Sequence, residues 1–424
     1  MQIRFLQDFR PTLFESLKTY NRQKFMADLM SGLIVGIVAL PLAIAFGISS
    51  GVTPEKGLVT AIIAGFIISF LGGSSVQIGG PTGAFIVIVY GIVEKYGVQG
   101  LAIATVMAGV MLLAMGLMKL GSVIKFIPFP IIVGFTSGIA LTILSTQIKD
   151  FFGLQLDHVP SNFIEKIGLD AQNFHSINLW STVIGVVSVL IIFLTPKVSK
   201  KIPGSLIAII VMTVLAYLMR HHWGFTGIET IGDRYEINAQ LPTVAPIGFS
   251  IESIRTLFPS AFTIAMLGAI ESLLSATVAD GVTGQRHNSN MELIAQGAAN
   301  VITPFFGGIP ATGAIARTMT NINNGGRTPV AGLVHAVVLL LILLFLGNLT
   351  HHIPMACLAG VLVVVSYNMS EWRNFIALAK QSRSTLIVLL VTFLLTVIFD
   401  LTIAIEIGLL LSVFAFMKRI NETS

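Results

Sequence analysis

The sequence predicts an all-α membrane protein of about fourteen transmembrane segments arranged as two inverted repeats of seven. Three observations carry this: a shortage of charge, a series of apolar windows long enough to cross a bilayer, and two tripeptides that recur at one offset. Of 424 residues, 54% are hydrophobic and 11% charged, and the mean hydropathy is +0.88. A soluble domain carries about a quarter charged residues, so lipid faces most of this surface. The formal net charge of +5 does not mark a nucleic-acid groove, because the basic residues stand in short clusters between apolar runs. Cys357 is the one cysteine, which excludes a disulfide framework and a thiolate metal site. The opening stretch MQIRFLQDFRPTLFESLKTYNRQKF is basic and amphiphilic, without the short apolar core and small-residue cleavage site of a signal peptide.

Windows of about 20 mostly apolar residues fall at 28–48, 57–72, 99–119, 124–149, 178–195, 203–220, 260–279, 289–306, 328–348, 354–370, 383–399 and 401–418. Segments 82–93 and 312–323 are too short to cross alone and read as half-helices. Arg4, Arg10, Lys18, Arg22 and Lys24 precede the first window, which predicts a cytoplasmic N-terminus. Alternation then puts Lys119 and Lys125, Lys197, Lys200 and Lys201, Arg373, Lys380 and Arg383, and Lys418 and Arg419 on that same side. The acidic loop 150–177, with Asp150, Asp157, Glu165 and Asp170, falls outside. Both termini are therefore expected in the cytoplasm. The expected division is a cytoplasmic segment 1–27, a first inverted repeat 28–220, an extracellular connection 221–259, a second repeat 260–418 and the start of a tail at 419–424.

The repeat is legible in two places. Gly51-Val52-Thr53 recurs as Gly281-Val282-Thr283, and Thr82-Gly83-Ala84 as Thr312-Gly313-Ala314, both 230 residues apart. Glycine pairs precede both copies of the second motif, Gly79-Gly80 before Pro81 and Gly307-Gly308 before Pro310. An odd number of segments per half inverts the second half. Inverted repeats with Gly/Pro-interrupted short helices at matching places mark a transporter whose site lies at the bilayer midplane.

Backbone that leaves a helix inside lipid exposes polar groups at several kcal/mol each, and survives only where protein or an aqueous cavity satisfies it. The extended stretches Ser75 to Gly80 and Gly307 to Ile309 are expected to pair with each other, with Pro81 and Pro310 in the first turns of the half-helices. Two positive helix ends would then meet head to head and favour an anion.

Glu271 lies mid-window with Ser272 and Ser275 nearby. A carboxylate at that depth should be paired or protonated, which makes Glu271 a candidate proton carrier. Arg317 stands one turn into the second half-helix, where it could hold an anion, neutralise Glu271, or do both. Asp28, Asp280, Asp400 and Glu406 lie nearer window ends, where capping or snorkelling explains them. Of the hydroxyls and amides in apolar runs, Ser49, Ser137 and Gln147 read as helix–helix contacts, whereas Thr82 and Thr312 gain from standing at the breaks. Small residues crowd the windows at 28–48 and 57–72 and permit close helix contact. GGIPATGAIAR and SGVTPEKG lack the P-loop Lys-Ser/Thr pair, and His221-His222 and His351-His352 lack metal-ligand spacing. No enzyme activity, cofactor or metal is expected.

The run GAIESLLSATVADGVTGQRHNSNMELIAQGAANVITPFFGGIPATGAIARTMTNINNGGRTPVAG closely resembles the sulfate permease (SulP) anion transporter family. ADLMSGLIVGIVALPLAIAFGISSGVTPEKGL and FDLTIAIEIGLLLSVFAFMKR resemble that family's first and last spans, so the resemblance covers essentially the whole chain. It implies the uracil-permease-type fold: fourteen segments split into core and gate domains, commonly a homodimer, with the substrate between the third and tenth segments and an elevator-like shift of core against gate. Carried over by position, it implies substrate-binding N–H groups from Thr82, Gly83 and Ala84 and from Gly313, Ala314 and Ile315, with Arg317 just behind. Glu271, with Ser275 one turn on, matches the family's acidic coupling position in segment eight.

Three departures qualify the match. Family members commonly continue into a cytoplasmic STAS domain, whereas this sequence stops at Ser424, so a transport domain alone is expected. Sodium-coupled bicarbonate members carry Asp at the segment-eight position and a threonine where Ile315 stands, which favours protons over sodium here. Animal and plant relatives often place serines where Ala314 and Ala316 stand, so anion contacts should rely more on backbone. The expectation is a secondary active transporter of small anions, with proton-coupled uptake of sulfate or a related oxyanion or carboxylate. The alternatives are a sodium-coupled bicarbonate transporter, an uncoupled anion exchanger or channel, and a carrier of neutral nucleobases. Its expected setting is a bacterial plasma membrane, multi-pass, without nucleic acid.

Overall fold

The computed structural model describes residues 9–124, 128–156, 158–198, 202–224, 227–237, 240–399, 403–404, 407–408 and 410–411. Asp400, Glu406, most of the window 401–418, and Arg4, Lys125, Asp157, Lys200, Lys201, Lys418 and Arg419 lie outside the described residues.

The principal helices are α1 (Arg22–Ser49), α2 (Pro54–Leu71), α3 (Ile86–Leu117), α4 (Phe129–Phe152), α5 (Phe163–Gln172), α6 (Leu179–Val198), α7 (Gly204–His222), α8 (Ile251–Thr283), α9 (Ser289–Ile302), α10 (Ile315–Asn323), α11 (Val330–Leu346), α12 (Met355–Met369), α13 (Trp372–Ala379) and α14 (Arg383–Ile398). Among the described residues, nine helices are long and apolar enough to span a bilayer. Local chemistry sets their ends. The Asn21 side chain caps α1 by accepting the Lys24 N–H at 2.9 Å, and Ser250 caps α8 by accepting from Ser253 N at 3.0 Å. Gly284 closes α8 at φ +73, a left-handed step that glycine takes without a Cβ penalty. Gly97, at φ +69, breaks α3 into a short first half and a long second half, as expected from the windows 82–93 and 99–119.

Two helical bodies result. In the first, α1 packs on α2 and α11, α3 packs on α8 and α9, and α2 packs on α9 and α11. In the second, α4 packs on α12 and α14, and α6 packs on α7 and α12. These are the expected core and gate. Small residues set the spacing within the core. A methyl on Gly109 would stand 2.8 Å from the Gly297 carbonyl oxygen, and one on Gly57 would stand 2.0 Å from that of Ala43, so side chains there would force the helices apart.

Two sets of contacts tie the loops. In one, Glu94 meets His158 at 3.2 Å, Arg234 forms an ion pair with Asp150 at 2.8 Å, and Thr230 pairs with Pro354. In the other, Asn288 N donates to the Gly73 carbonyl at 2.9 Å, Gly121 N to Asn290 Oδ1 at 3.0 Å, and Arg327 N to Asp28 Oδ1 at 3.1 Å. Asp28 also accepts from the Tyr20 hydroxyl at 3.0 Å, and Asp280 takes the His287 ring at 2.6 Å, so both acids serve segment ends.

Candidate functional site

Two breaks interrupt the core, and their backbone groups are satisfied one by one. Strand β1 (Gly79–Gly80) pairs antiparallel with β2 (Thr312–Gly313), in the register Gly79 to Gly313 and Gly80 to Thr312. The partner of the first break is therefore 312–313 and not Gly307 to Ile309, which was expected from the glycine pair. Residues 307–309 are held elsewhere, because Thr60 Oγ1 accepts from Ile309 N at 2.7 Å and Gly308 N donates to Thr303 O at 3.1 Å. Asn300 stands in for a strand, accepting from Ala311 N at 2.9 Å and donating to Ala311 O at 2.8 Å. Asn321 donates to Val76 O at 2.9 Å, and Thr318 Oγ1 accepts from Ile78 N at 3.0 Å. Core side chains thus do for each break what water does in a soluble loop.

The half-helices start immediately beyond the strands. A single 3-10 turn, Gly83–Phe85, leads into the first half of α3, and α10 starts at Ile315. Antiparallel pairing sends the two helices in opposite directions from one point, with both N-terminal ends at the strands and both carbonyl ends away. Pro81 and Pro310 precede the helices rather than sitting in their first turns, α10 beginning five residues past Pro310. The reason is that each proline stands where the break needs no N–H: Pro81 directly after β1, and Pro310 between the satisfied amides of Ile309 and Ala311.

The two ends differ in what they leave free. Thr82 caps the first, and its Oγ1 is buried without a hydrogen-bond partner. Gly83 and Ala84 follow with first-turn amides that have no intrahelical acceptor. On the second half, Gly313 lies in β2 with the Gln77 amide against it, and the Ala314 N–H is spent on the Ile78 carbonyl at 2.8 Å. The first-turn amides of α10 therefore begin at Ile315, whose side chain is half-buried.

Arg317 ties the halves together. It is 1% exposed, and its Nη2 donates to the Pro81 carbonyl at 2.7 Å while Nη1 is buried without a partner. A methyl on Gly80 would stand 2.2 Å from Nη1, so only glycine leaves room for the guanidinium. Among the described residues no ion pair joins Arg317 to Glu271.

Glu271 is 8% exposed on α8 and takes no hydrogen bond among the described residues. Ser275, one turn on, has an unpartnered buried hydroxyl. Ser272, between them, meets Thr312 Oγ1 at 2.8 Å, and Thr312 donates to Gly268 O at 3.0 Å. The acidic stretch of α8 is thus bonded to β2. The gate closes over the first half-helix: a methyl on Gly83 would meet Met369 Sδ at 3.1 Å and Ile143 Cδ1 at 3.5 Å, beside Phe46 Cε1 of the core at 3.6 Å. A cavity of about 440 Å³, lined by Val87, Lys95, Tyr96, Thr142, Asn162 and Thr396 among others, runs between the half-helix and the gate.

Sequence reasoning missed Gln77, Glu292, Gln296, Asn300, Thr318, Asn321 and His335. Glu292 is fully buried, accepting from Gly73 N at 3.0 Å, Ser74 N at 3.2 Å, Gln77 Nε2 at 2.7 Å and Gln296 Nε2 at 2.9 Å. The one available signal was a carboxylate and amides at helical spacing within an apolar window, Glu292, Gln296 and Asn300.

Comparison with known proteins agrees with this architecture. The family model described as the sulfate permease family matches residues 25–392. YvdB of Bacillus subtilis (strain 168), a sulfate-transporter candidate by name, is 46% identical over 96% of this chain and 76% of its own length. The bicarbonate transporter BicA of Picosynechococcus sp. is 34% identical over 93% of this chain and 70% of its own. Among solved structures, the transmembrane domain of a cyanobacterial BicA superposes with a TM-score of 0.81 at 31% identity, covering 91% of this chain and 98% of that one.

Proposed function

Because the chain belongs to the sulfate permease family, we propose that it is a secondary active transporter that takes up sulfate, or a related oxyanion or carboxylate, together with protons. One observation carries this reading: two half-helix N-termini start from one antiparallel strand pair, beside a buried guanidinium whose Nη1 has no partner. Each end contributes roughly half a positive charge, and Arg317 adds a full one. A niche of that sign, buried from water, favours an anion over a neutral nucleobase.

The movement we propose is an elevator-like shift. Both strands and both half-helices belong to the core, so the niche would travel as a unit, while Ile143 and Met369 belong to the gate that covers Gly83. Glu271 is the proposed proton carrier. It has no hydrogen-bond partner among the described residues and neighbours the Ser272 that holds β2, so its charge is placed to bias the strand pair. Ile315 offers no hydroxyl for sodium. The reading includes a homodimer in a bacterial plasma membrane with both termini cytoplasmic.

Uptake into proteoliposomes with radiolabelled sulfate, bicarbonate and fumarate, under an imposed proton gradient, tests the proposal. Sulfate accumulation that a protonophore abolishes and sodium leaves unchanged is the expected result. The likeness to BicA favours a second reading, sodium-coupled bicarbonate uptake, and sodium-dependent bicarbonate accumulation would establish it instead. Equilibration without accumulation would point to an exchanger or channel.

A further inference from the structure

His335 on α11 is completely buried, and neither ring nitrogen makes a hydrogen bond of normal geometry. A buried imidazole without partners is costly enough to need a reason. A neutral imidazole carries one N–H donor and one free nitrogen that can accept. The acceptor has no donor. Arg317 Nη1 is the opposite case, a buried donor without an acceptor.

Both groups stand against the same short strand. A methyl on Gly65 of α2 would lie 3.0 Å from His335 Cε1 and 3.2 Å from the Gly79 carbonyl oxygen. A methyl on Gly80 would lie 2.2 Å from Arg317 Nη1 and 3.5 Å from Ala61 Cα of α2. Gly79 and Gly80 are adjacent, and Ala61 and Gly65 are one turn apart on one helix face. The imidazole and the guanidinium therefore flank β1 at neighbouring positions.

We propose that His335 is a positioning residue for Arg317. Its free nitrogen accepts from Nη1 across one bridging water, while the Pro81 carbonyl holds Nη2. With both amino groups held, the guanidinium plane is fixed against the strand pair and its charge faces the niche in one orientation. Loss of the acceptor leaves a rotatable cation and a weaker anion site.

This inference rests on the reading that Arg317 holds the anion, and the test separates the two. Sulfate is the probe, with KM and maximal rate from proteoliposome uptake and affinity from sulfate-dependent thermal shift of the detergent-solubilised protein. His335→Phe, which removes the acceptor, is expected to raise the sulfate KM about tenfold, the effect of losing a hydrogen bond to a charged group, with a much smaller change in maximal rate. His335→Gln, which keeps an acceptor, is expected to restore KM to within about twofold of the parent. If His335→Phe does not fold, His335→Met carries the same expectation. An unchanged KM in the acceptor-less variant overturns the inference, as does an equal loss of stability and rate in both variants with KM unmoved. Should Arg317→Ala also leave KM unchanged, the underlying reading fails. A raised KM in Arg317→Ala alone confines the failure to His335.

Discussion

Glu292 and Glu271 are both acids buried in the core, on the adjacent helices α9 and α8, yet their surroundings are opposite. Four donors from the first break and from α9 surround the Glu292 carboxylate. Glu271 has none among the described residues. The first arrangement binds the carboxyl group with four protein donors and clamps β1's approach to α9. The second leaves an acid that no donor ties to the fold. On the reading proposed above, the count of donors, and not depth in the membrane, separates a structural acid from a working one.

The largest effect should follow from removing the partnered acid. Glu292→Ala leaves two backbone amides and two side-chain amides without their acceptor, at roughly 1–3 kcal/mol for each group left unsatisfied. Loss of monodisperse protein in size-exclusion chromatography is expected. A variant that folds and melts like the parent would break the comparison.

Next in size is Glu271→Gln, which should keep the fold, with a melting temperature within about 2 °C of the parent. Proton-driven sulfate accumulation should be lost while exchange persists. Accumulation at the parental level, still collapsing with a protonophore, would remove Glu271 from coupling.

The contrast between the two acids also shows where the sequence stopped being readable. Apolar windows and the breaks at Gly79-Gly80-Pro81 and Gly307-Gly308 were legible, because each depends on local composition. The strand register was not. Residues 307–313 offer several extended stretches of similar composition, and the choice of Thr312–Gly313 depends on Thr60 and Asn300 reaching in from α2 and α9 and on Gln77 from the first break. Arg317 was legible as a buried charge, but its acceptor, the Pro81 carbonyl 236 positions away, is visible only in three dimensions. His335 read as one more residue in an apolar window for the same reason.

A smaller effect is expected at the glycines, where the comparison extends to backbone. Gly80→Ala drives a methyl into Arg317 Nη1 at a position of φ +152, so both strain and a displaced guanidinium follow, and the sulfate KM should rise several-fold. Gly97→Ala meets open space at φ +69 and should cost only about 1–2 kcal/mol of backbone strain, with KM unaltered. Equal KM values for the two variants would show that Arg317 is not held by the space at Gly80.

The smallest effect tests the donor rule outside the membrane. Lys166 on α5 is 2% exposed and stands 5.8 Å from the Tyr90 ring centroid. Burial lowers its pKa to about 8, partly opposed by the negative charges of Asp170 and Glu94. Asp170 is itself raised by burial, with Lys166 and Lys149 pulling the other way. The unfolded chain keeps the Lys166 proton up to about pH 10.5, whereas the folded chain releases it near 8. Between those values the unfolded state binds more protons, so the contribution of Lys166 to stability grows as pH rises. Lys166→Met removes that gain. Thermal melts across the window should show the parent losing about 2 °C less than the variant as the medium becomes alkaline. Parallel melting curves would mean that the lysine reaches acceptors or water in solution, and that scarcity of partners is a weaker guide to titration than the two acids suggest.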